Sequence, residues 1–256
     1  MITRANWTRE QLLVAFALYC RMPFGKISSR HPDIIRVAAA IGRTPAALSM
    51  KMGNLASLDP AITSTGRSGL RAASANDRAM WDEMTSDWER FAVECEQALL
   101  ATEAMPEPTV EPVIPDYDDL PIGEDRVVRA TTRIGQRFFR AAVMSAYNEQ
   151  CCVTGLAVPT LLQASHIVPW QHDSANRTNP RNGLLLSVLH HKAFDVGLFT
   201  IRDDMTVHVS REHTAVGGEF FTSAIGSYDG RPIQLPEKFA PHRDFLAYHR
   251  EYIFQG

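Results

Sequence analysis

Apolar residues recur at helical spacing through the first 60 residues. Residues 8–20 predict a first helix that Thr8 can cap, because their apolar side chains fall three or four positions apart (Leu12, Leu13, Phe16, Ala17 and Tyr19). Proline suits the first turn of a helix, so Pro32 and Pro45 are expected to begin a second and a third helix. Residues 1–60 therefore predict a small helical domain, which is either an ordinary three-helix packing unit or a DNA-binding helix-turn-helix.

The next part of the chain is acidic and ends in a region without an apolar pattern. Residues 61–103 predict one long helix over residues 76–101, with large side chains at helical spacing (Trp81, Met84, Trp88, Phe91 and Cys95). Residues 104–124 contain five prolines, many acidic residues and few apolar ones. Such a composition does not bury a core and is typical of an extended linker. We therefore expect a domain boundary near residue 125.

Beyond the linker the pattern becomes mixed. Residues 126–147 predict a strongly basic helix. Short apolar runs broken by glycine, proline and asparagine then predict two strands, a helix and a closing hairpin (161–168, 183–187, 188–196, and 198–201 with 206–209). Residues 125–256 are expected to form an α+β domain behind a mainly helical N-terminal domain.

The net charge of −3 conceals an uneven distribution. Residues 1–60 carry a net charge of +5, residues 61–124 carry −10, and the rest of the chain carries +2. A polyanion such as DNA would be attracted to the two ends of the chain and repelled by its middle.

Hydropathy and cysteine content narrow the class of protein. Hydrophobic residues make up 45% and charged residues 21% of the chain, as in ordinary soluble globular proteins. There is no apolar run near the ~18 residues that span a bilayer, and the N-terminus lacks the pattern of a signal peptide. The four cysteines form no C-x-x-C pair, which argues against a disulfide framework or a structural zinc site. We expect a cytoplasmic protein without a membrane partner.

Residues 161–201 contain the side chains that phosphodiester hydrolysis requires. His166 ends the first predicted strand, and Asn182 begins the second. His191 and Asp195 lie four positions apart, so on a helix they share one face and can reach one metal ion. A neutral imidazole can take a proton from water, and a divalent cation can stabilise charge on the phosphate and the departing oxygen. An isolated His-x-x-x-Asp is usually a surface pair, but the presence of His166 and Asn182 at these distances favours metal binding.

Four short motifs resemble a known family. They are C-x-x-T-G (151–155), A-S-H-I-V-P (164–169), N-G-L-L-L (182–186) and L-H-H-K-A-F-D-x-G-L-F (189–199), preceded by R-I-G-Q-R-F-F-R (133–140). Together they resemble the ββα-metal core of HNH endonucleases, in particular the branch found in bacterial restriction-type enzymes. The resemblance covers about residues 124–202. It implies a metal-dependent DNA endonuclease that serves restriction or phage defence.

The resemblance also implies a role for each matching residue. His166 matches the general base, and Asn182 matches the central asparagine that holds the hairpin loop. His191 matches the metal-binding position on the helix, and Asp195 lies where relatives such as the colicin nucleases place another ligand. The metal implied is Mg²⁺ or Mn²⁺, with Zn²⁺ as the alternative because imidazole binds it well.

Two positions leave the ligands of the predicted metal site undecided. Ser165 stands where many members of the family carry Asp, Glu or His, so His191 and Asp195, or water, must do more of the binding. His190 is the alternative ligand, because adjacent residues on a helix point about 100° apart and one of the two histidines shares the face of Asp195.

Basic side chains near the predicted core are candidates for phosphate contacts, although a solvated face is the ordinary explanation of such a run. They are Arg133, Arg137, Arg140, Arg177, Arg181 and Lys192, with Arg43 and Lys51 in the N-terminal domain. Two other functions remain open, a DNA-binding protein with a decayed nuclease core and a less specific nuclease of DNA or RNA. Cutting both strands of a palindrome would favour a homodimer.

Overall fold

The computed structural model describes residues 6–64, 66, 73–104, 126–214 and 217–256. Its helices and strands are, in chain order, α1 (Arg9–Arg21), α2 (Pro32–Ala40), α3 (Pro45–Ala56), α4 (Pro60–Thr63), α5 (Ala75–Ser86), α6 (Trp88–Ala101), α7 (Arg126–Ala146), β1 (Leu162–His166), β2 (Gly183–Ser187), α8 (Val188–Asp195), β3 (Phe199–Ile201), β4 (Val207–Val209), α9 (Arg211–Thr214), α10 (Gly218–Ala224) and α11 (Arg243–Tyr252). The predicted linker, residues 104–124, lies outside the described residues apart from Ala104. None of the helices in the described parts combines the length and hydropathy of a membrane span.

The three helices predicted over residues 1–60 are present, and each begins at a residue that caps it. Thr8 and Gln11 form a capping box at the start of α1, which gives two backbone N–H groups a partner. Helices α2 and α3 each begin with a proline, and the side chains of the preceding His31 and Thr44 accept a hydrogen bond from the first turn.

The single helix predicted over residues 76–101 is wrong, because two helices meet at Asp87. This residue has φ −151° and ψ 80°, so it ends α5. Its side chain accepts a hydrogen bond from the Arg90 N–H at 3.1 Å and caps α6. Aspartate favours a cap over a helix interior because its short side chain competes for nearby backbone N–H groups.

The helical part of the chain is organised around α1. All nine residues from Leu12 to Cys20 are buried, and α3, α6 and α7 pack against this helix. Phe138 and Ala142 of α7 belong to the same core, as does Phe239 from near the C-terminus. The N-terminal core therefore includes residues from both sides of the predicted linker.

Lys238 adds a polar link to the same place. Its side chain is fully buried, and its Nζ donates hydrogen bonds to the carbonyl oxygens of Tyr19, Cys20 (2.9 Å) and Met22 (2.8 Å). These carbonyls lie at the end of α1, where a helix has no internal donors for them. The ammonium group of Lys238 thus satisfies the C-terminal end of the central helix.

The second part of the chain contains the predicted strands and helix. β1 and β2 pair antiparallel, in a register that runs from Leu162 opposite Ser187 to His166 opposite Gly183. Helix α8 follows β2 directly, and β3 pairs with β4 as the closing hairpin. The prediction of these elements is confirmed, and β1 is shorter than the predicted strand over residues 161–168.

Helix α7 joins the two hydrophobic cores. Phe138 and Ala142 face the N-terminal core, whereas Phe139 and Val143 face the core built on β1 and β2. Adjacent residues on a helix point about 100° apart, so one helix can serve two cores. The expected boundary near residue 125 remains a prediction, but α7 belongs to both cores.

Candidate functional site

His166 lies at the end of β1 and is held on three sides. Its Nε2 is 2.8 Å from the carbonyl oxygen of Arg177, so this nitrogen carries the hydrogen and Nδ1 carries the lone pair. One face of the ring stacks on Phe139 with centroids 3.9 Å apart and planes 7° apart, and Trp170 meets the ring edge-on at 5.5 Å. Burial lowers the pKa of His166 to about 4. The imidazole is therefore neutral near pH 7 and can accept a proton.

Asn182 closes the loop that follows His166. Its buried side chain accepts a hydrogen bond from the Val168 N–H at 2.8 Å. Its amide NH₂ donates to the carbonyl oxygens of Val168 at 3.2 Å and Asn176 at 3.3 Å. The loop of residues 167–181 is thereby fixed at both ends, which holds the Arg177 carbonyl where it meets His166.

Ser165, His191 and Asp195 form one cluster beside His166. The Ser165 hydroxyl donates to Asp195 Oδ1 at 3.2 Å and lies 3.0 Å from His191 Nδ1. His191 Nε2 is 3.2 Å from Asp195 Oδ2. His191 and Asp195 therefore share one helix face, as predicted. Strand β1 brings Ser165, which stands where many HNH endonucleases carry Asp, Glu or His, to the same cluster.

The donor set fits a weak divalent-cation site. An imidazole nitrogen and a carboxylate oxygen are both common ligands of divalent metals, and the His191 and Asp195 donors are close enough to share one ion. Among the described residues no group of three or more His, Cys, Asp or Glu side chains could hold a metal. Two protein ligands and a serine hydroxyl would leave several coordination positions to water and phosphate.

His190 is not part of this cluster, and its assignment as a metal ligand is corrected. The side chain is buried, with Nδ1 2.8 Å from the Ser187 hydroxyl and the ring packed between Phe199 and Tyr228. The 100° offset between neighbouring helix positions turns His190 into the core and leaves His191 on the side of Asp195.

The basic residues proposed for phosphate contact fall into two groups. Arg133, Arg137 and Lys192 are exposed. The other three are half-buried and each donates one N–H to a backbone carbonyl: Arg140 to Leu162 (3.1 Å), Arg177 to Trp170 (2.9 Å) and Arg181 to Ala240 (3.3 Å). These bonds stabilise the fold, and the three guanidinium groups carry the positive charge that a phosphate contact requires.

Of the two N-terminal candidates, Lys51 is buried, which contradicts its assignment to DNA contact, whereas Arg43 is half-buried and its assignment stays a prediction. Lys51 is 7% exposed, and its ammonium group forms an ion pair of 2.6 Å with the buried Asp77. Arg43 donates to the Gln11 side chain and the Asn6 carbonyl. Both cations also lie over the Trp7 ring. Lys51 and Arg43 thus stabilise the N-terminal domain through contacts with residues distant in sequence.

Sequence reasoning missed the aromatic and backbone supports of His166. Phe139 comes from α7, and the Arg177 carbonyl comes from the loop. The adjacent phenylalanines at 138 and 139 indicate burial. Residue type alone does not predict which of the two rings stacks on a histidine 27 positions away from residue 139.

Comparison with known proteins adds a family assignment for one part of the chain. The family model described as HNH endonuclease matches residues 151–202. Among solved structures, the modification-dependent TagI restriction endonuclease is similar, with 23% sequence identity and a TM-score of 0.33. That match covers 45% of this chain and 37% of the TagI chain. No curated protein matches the sequence.

Proposed function

We propose that this protein, whose residues 151–202 belong to the HNH endonuclease family, is a metal-dependent DNA endonuclease that serves restriction or phage defence. The observation that carries the proposal is the assembly of His166, Asn182, His191 and Asp195 around one ββα unit. A protein that binds DNA without cutting it would not need both an aligned base and a metal-binding pair.

His166 supplies the general base. Because Nε2 donates to the Arg177 carbonyl, Nδ1 can accept a proton from a water molecule. The resulting hydroxide forms a bond to phosphorus while the bond from phosphorus to the 3′ oxygen breaks. The departing 3′ oxygen takes a proton from water, which leaves a 5′-phosphate and a 3′-hydroxyl. Burial keeps the ring neutral before the reaction, and Asn182 keeps the loop and its carbonyl in place.

His191 and Asp195 would hold the divalent ion, with the Ser165 hydroxyl bonded to both side chains. Bound there, the ion would stabilise negative charge on the phosphate and the leaving oxygen. Mg²⁺ or Mn²⁺ fits a site with few protein ligands, because both ions keep several waters.

DNA would approach over the exposed cations near the site. Arg133 and Arg137 lie on α7, and Lys192 lies on α8 beside the proposed ligand His191. Contacts from Lys or Arg to phosphates position the duplex and carry no sequence information. Recognition of a DNA sequence or of a base modification would therefore depend on other contacts.

The test is digestion of modified and unmodified phage DNA with Mg²⁺ or Mn²⁺, followed by sequencing of the ends. We expect cleavage that EDTA stops and either ion restores. His166→Ala should lose roughly 10²–10⁴-fold in rate, since that is the usual contribution of a general base. His172→Ala is the matched control, because this exposed histidine of the same loop bonds to Tyr248.

Two outcomes would contradict the proposal. Cleavage by His166→Ala at the rate of the unsubstituted protein would remove the assigned base. Absence of metal-dependent cleavage on every DNA tested, with DNA binding intact, would favour the decayed nuclease instead.

A further inference from the structure

We propose that Phe139 is a positioning residue for His166, and that Gly183 is a glycine because Phe139 and Val143 of α7 occupy the space beside it. The inference rests on the proposed function, in which His166 is the general base. Phe139 lies on α7, outside residues 151–202 that match the family model.

The stacking contact controls a motion that the hydrogen bond leaves free. The bond from Nε2 to the Arg177 carbonyl fixes one corner of the ring, but the terminal torsion of histidine is broad, so the ring could still tilt. Phe139 lies parallel to the imidazole at a centroid distance of 3.9 Å and is 2% exposed. Because the Nδ1 lone pair lies in the ring plane, holding the plane also aims the lone pair.

Gly183 provides the room for this contact. It stands opposite His166 in the β1–β2 ladder, and its φ of −131° is open to any residue. A Cβ added there would lie 2.9 Å from Cζ of Phe139 and 2.6 Å from Cγ2 of Val143. Glycine in a strand without an unusual φ marks a close approach, and here the approaching groups are Val143 and the ring that stacks on His166.

The neighbouring Phe138 offers a matched control. It is 1% exposed on the same helix but packs into the N-terminal core, away from His166. Phe138→Leu and Phe139→Leu remove the same atoms from equally buried positions. A loss of stability should therefore be similar in both variants, whereas a loss of ring alignment should follow Phe139→Leu alone.

The experiment measures the single-turnover cleavage rate at saturating enzyme, with DNA affinity and the half-saturating Mn²⁺ concentration measured separately. Rates are compared at a temperature where circular dichroism shows every variant to be folded, and Phe139→Met replaces Phe139→Leu if no such temperature exists. We expect Phe139→Leu to lower the rate about 10–100-fold with little change in DNA affinity, since small misplacements of reacting groups cost this much. Phe138→Leu should stay within about twofold of the unsubstituted protein.

Gly183→Ala tests the same contact from the other side. Gly183→Ala should lower the rate. Its loss should be smaller in the Phe139→Leu background than in the unsubstituted protein, because the part that acts through the Phe139 ring is already gone. Additive losses in the double variant would overturn the role given to Gly183. Equal rates for Phe139→Leu and Phe138→Leu would overturn the role given to Phe139. His166→Ala in the same assay separates the two proposals: if it is inactive, such equal rates refute this inference alone, whereas an active His166→Ala refutes the proposed base.

Discussion

Asn182→Asp keeps the shape of the side chain that closes the loop of residues 167–181 but replaces its NH₂ group with an oxygen. The bond from the Val168 N–H to Oδ1 can persist at 2.8 Å. The two bonds donated by Nδ2, to the carbonyl oxygens of Val168 and Asn176, are lost. Asn182 is 1% exposed, so water cannot easily replace these bonds.

The cost follows from the number of carbonyls left without any donor. The Asn176 carbonyl still accepts a hydrogen bond from the Asn179 N–H at 3.3 Å, so only the Val168 carbonyl loses its partner. A buried polar group in that state costs about 1–3 kcal/mol in the free energy of unfolding. For a chain of this size each kcal/mol lowers the melting temperature by about 2–4 °C, which gives a fall of roughly 2–12 °C. The Arg177 carbonyl belongs to the same loop, so we also expect the cleavage rate to drop on the order of 100-fold.

The assay pairs thermal unfolding with single-turnover cleavage, and Asn179→Asp is the control. Asn179 lies in the same loop, and its Oδ1 accepts from the Arg181 N–H at 3.0 Å, a bond that aspartate keeps. Its NH₂ group makes one bond, to the side-chain oxygen of Asn176 at 2.8 Å. Because Asn176 is half-buried, water can reach this oxygen, and the control should lose less stability than Asn182→Asp. If Asn182→Asp melts no lower than Asn179→Asp and cleaves at the unsubstituted rate, the loop-closing role is refuted.

Three further predictions concern the metal site, the helical core and a buried cation. Ser165→Ala removes a hydroxyl that bonds to His191 and Asp195. It should raise the half-saturating Mn²⁺ concentration in a cleavage titration by roughly 10–100-fold, and an unchanged titration would contradict this. A fragment of residues 126–256 would expose Phe138 and Phe239, at about 1.5–3 kcal/mol each. Its melting temperature in calorimetry should fall below that of the full chain, and an equal value would show that the N-terminal core is dispensable. Burial lowers the pKa of Lys238 from 10.5 to about 8, so between these values the unfolded chain binds more protons and stability rises with pH. The quantity to measure is the free energy of unfolding in urea of the unsubstituted protein minus that of Lys238→Met. This difference should be roughly 2 kcal/mol larger at pH 9.5 than at pH 7.5, and a decrease over this range would refute the pKa shift.

The elements of the ββα unit could be predicted because their signals are local. Strand, turn and helix over residues 162–195 follow from short apolar runs and from Asn and Pro between them. The spacing of four between His191 and Asp195 places them on one helix face without any tertiary information, and the structure has them in contact. The predicted helix over residues 76–101 failed for an equally local reason, since the capping preference of Asp87 outweighed the apolar pattern on either side of it.

Contacts between residues distant in sequence determine which polar side chains are buried, and the local pattern does not predict these contacts. A lysine in a basic N-terminal domain suggests a surface cation, yet Lys51 is neutralised by the buried Asp77, 26 positions later. His190 and His191 are equivalent by composition, and the position of the core between Phe199 and Tyr228 determined which one is buried. Burial depends on which surfaces meet in the folded chain, and residue type alone does not encode that.

The spacing of a few side chains along the chain predicted the candidate site: the proposed base His166, the loop-closing Asn182 and the His191–Asp195 pair, which one ββα unit brings together. The alignment of these side chains depends on tertiary packing. Phe139 reaches His166 because α7 packs on the strands through one face while Phe138 anchors the other face in the N-terminal core. Spacing along the chain fixes which side chains share a face, because helix and strand periods are short-range. The contact between two rings 27 positions apart depends on how whole elements pack, and packing is a property of the folded molecule.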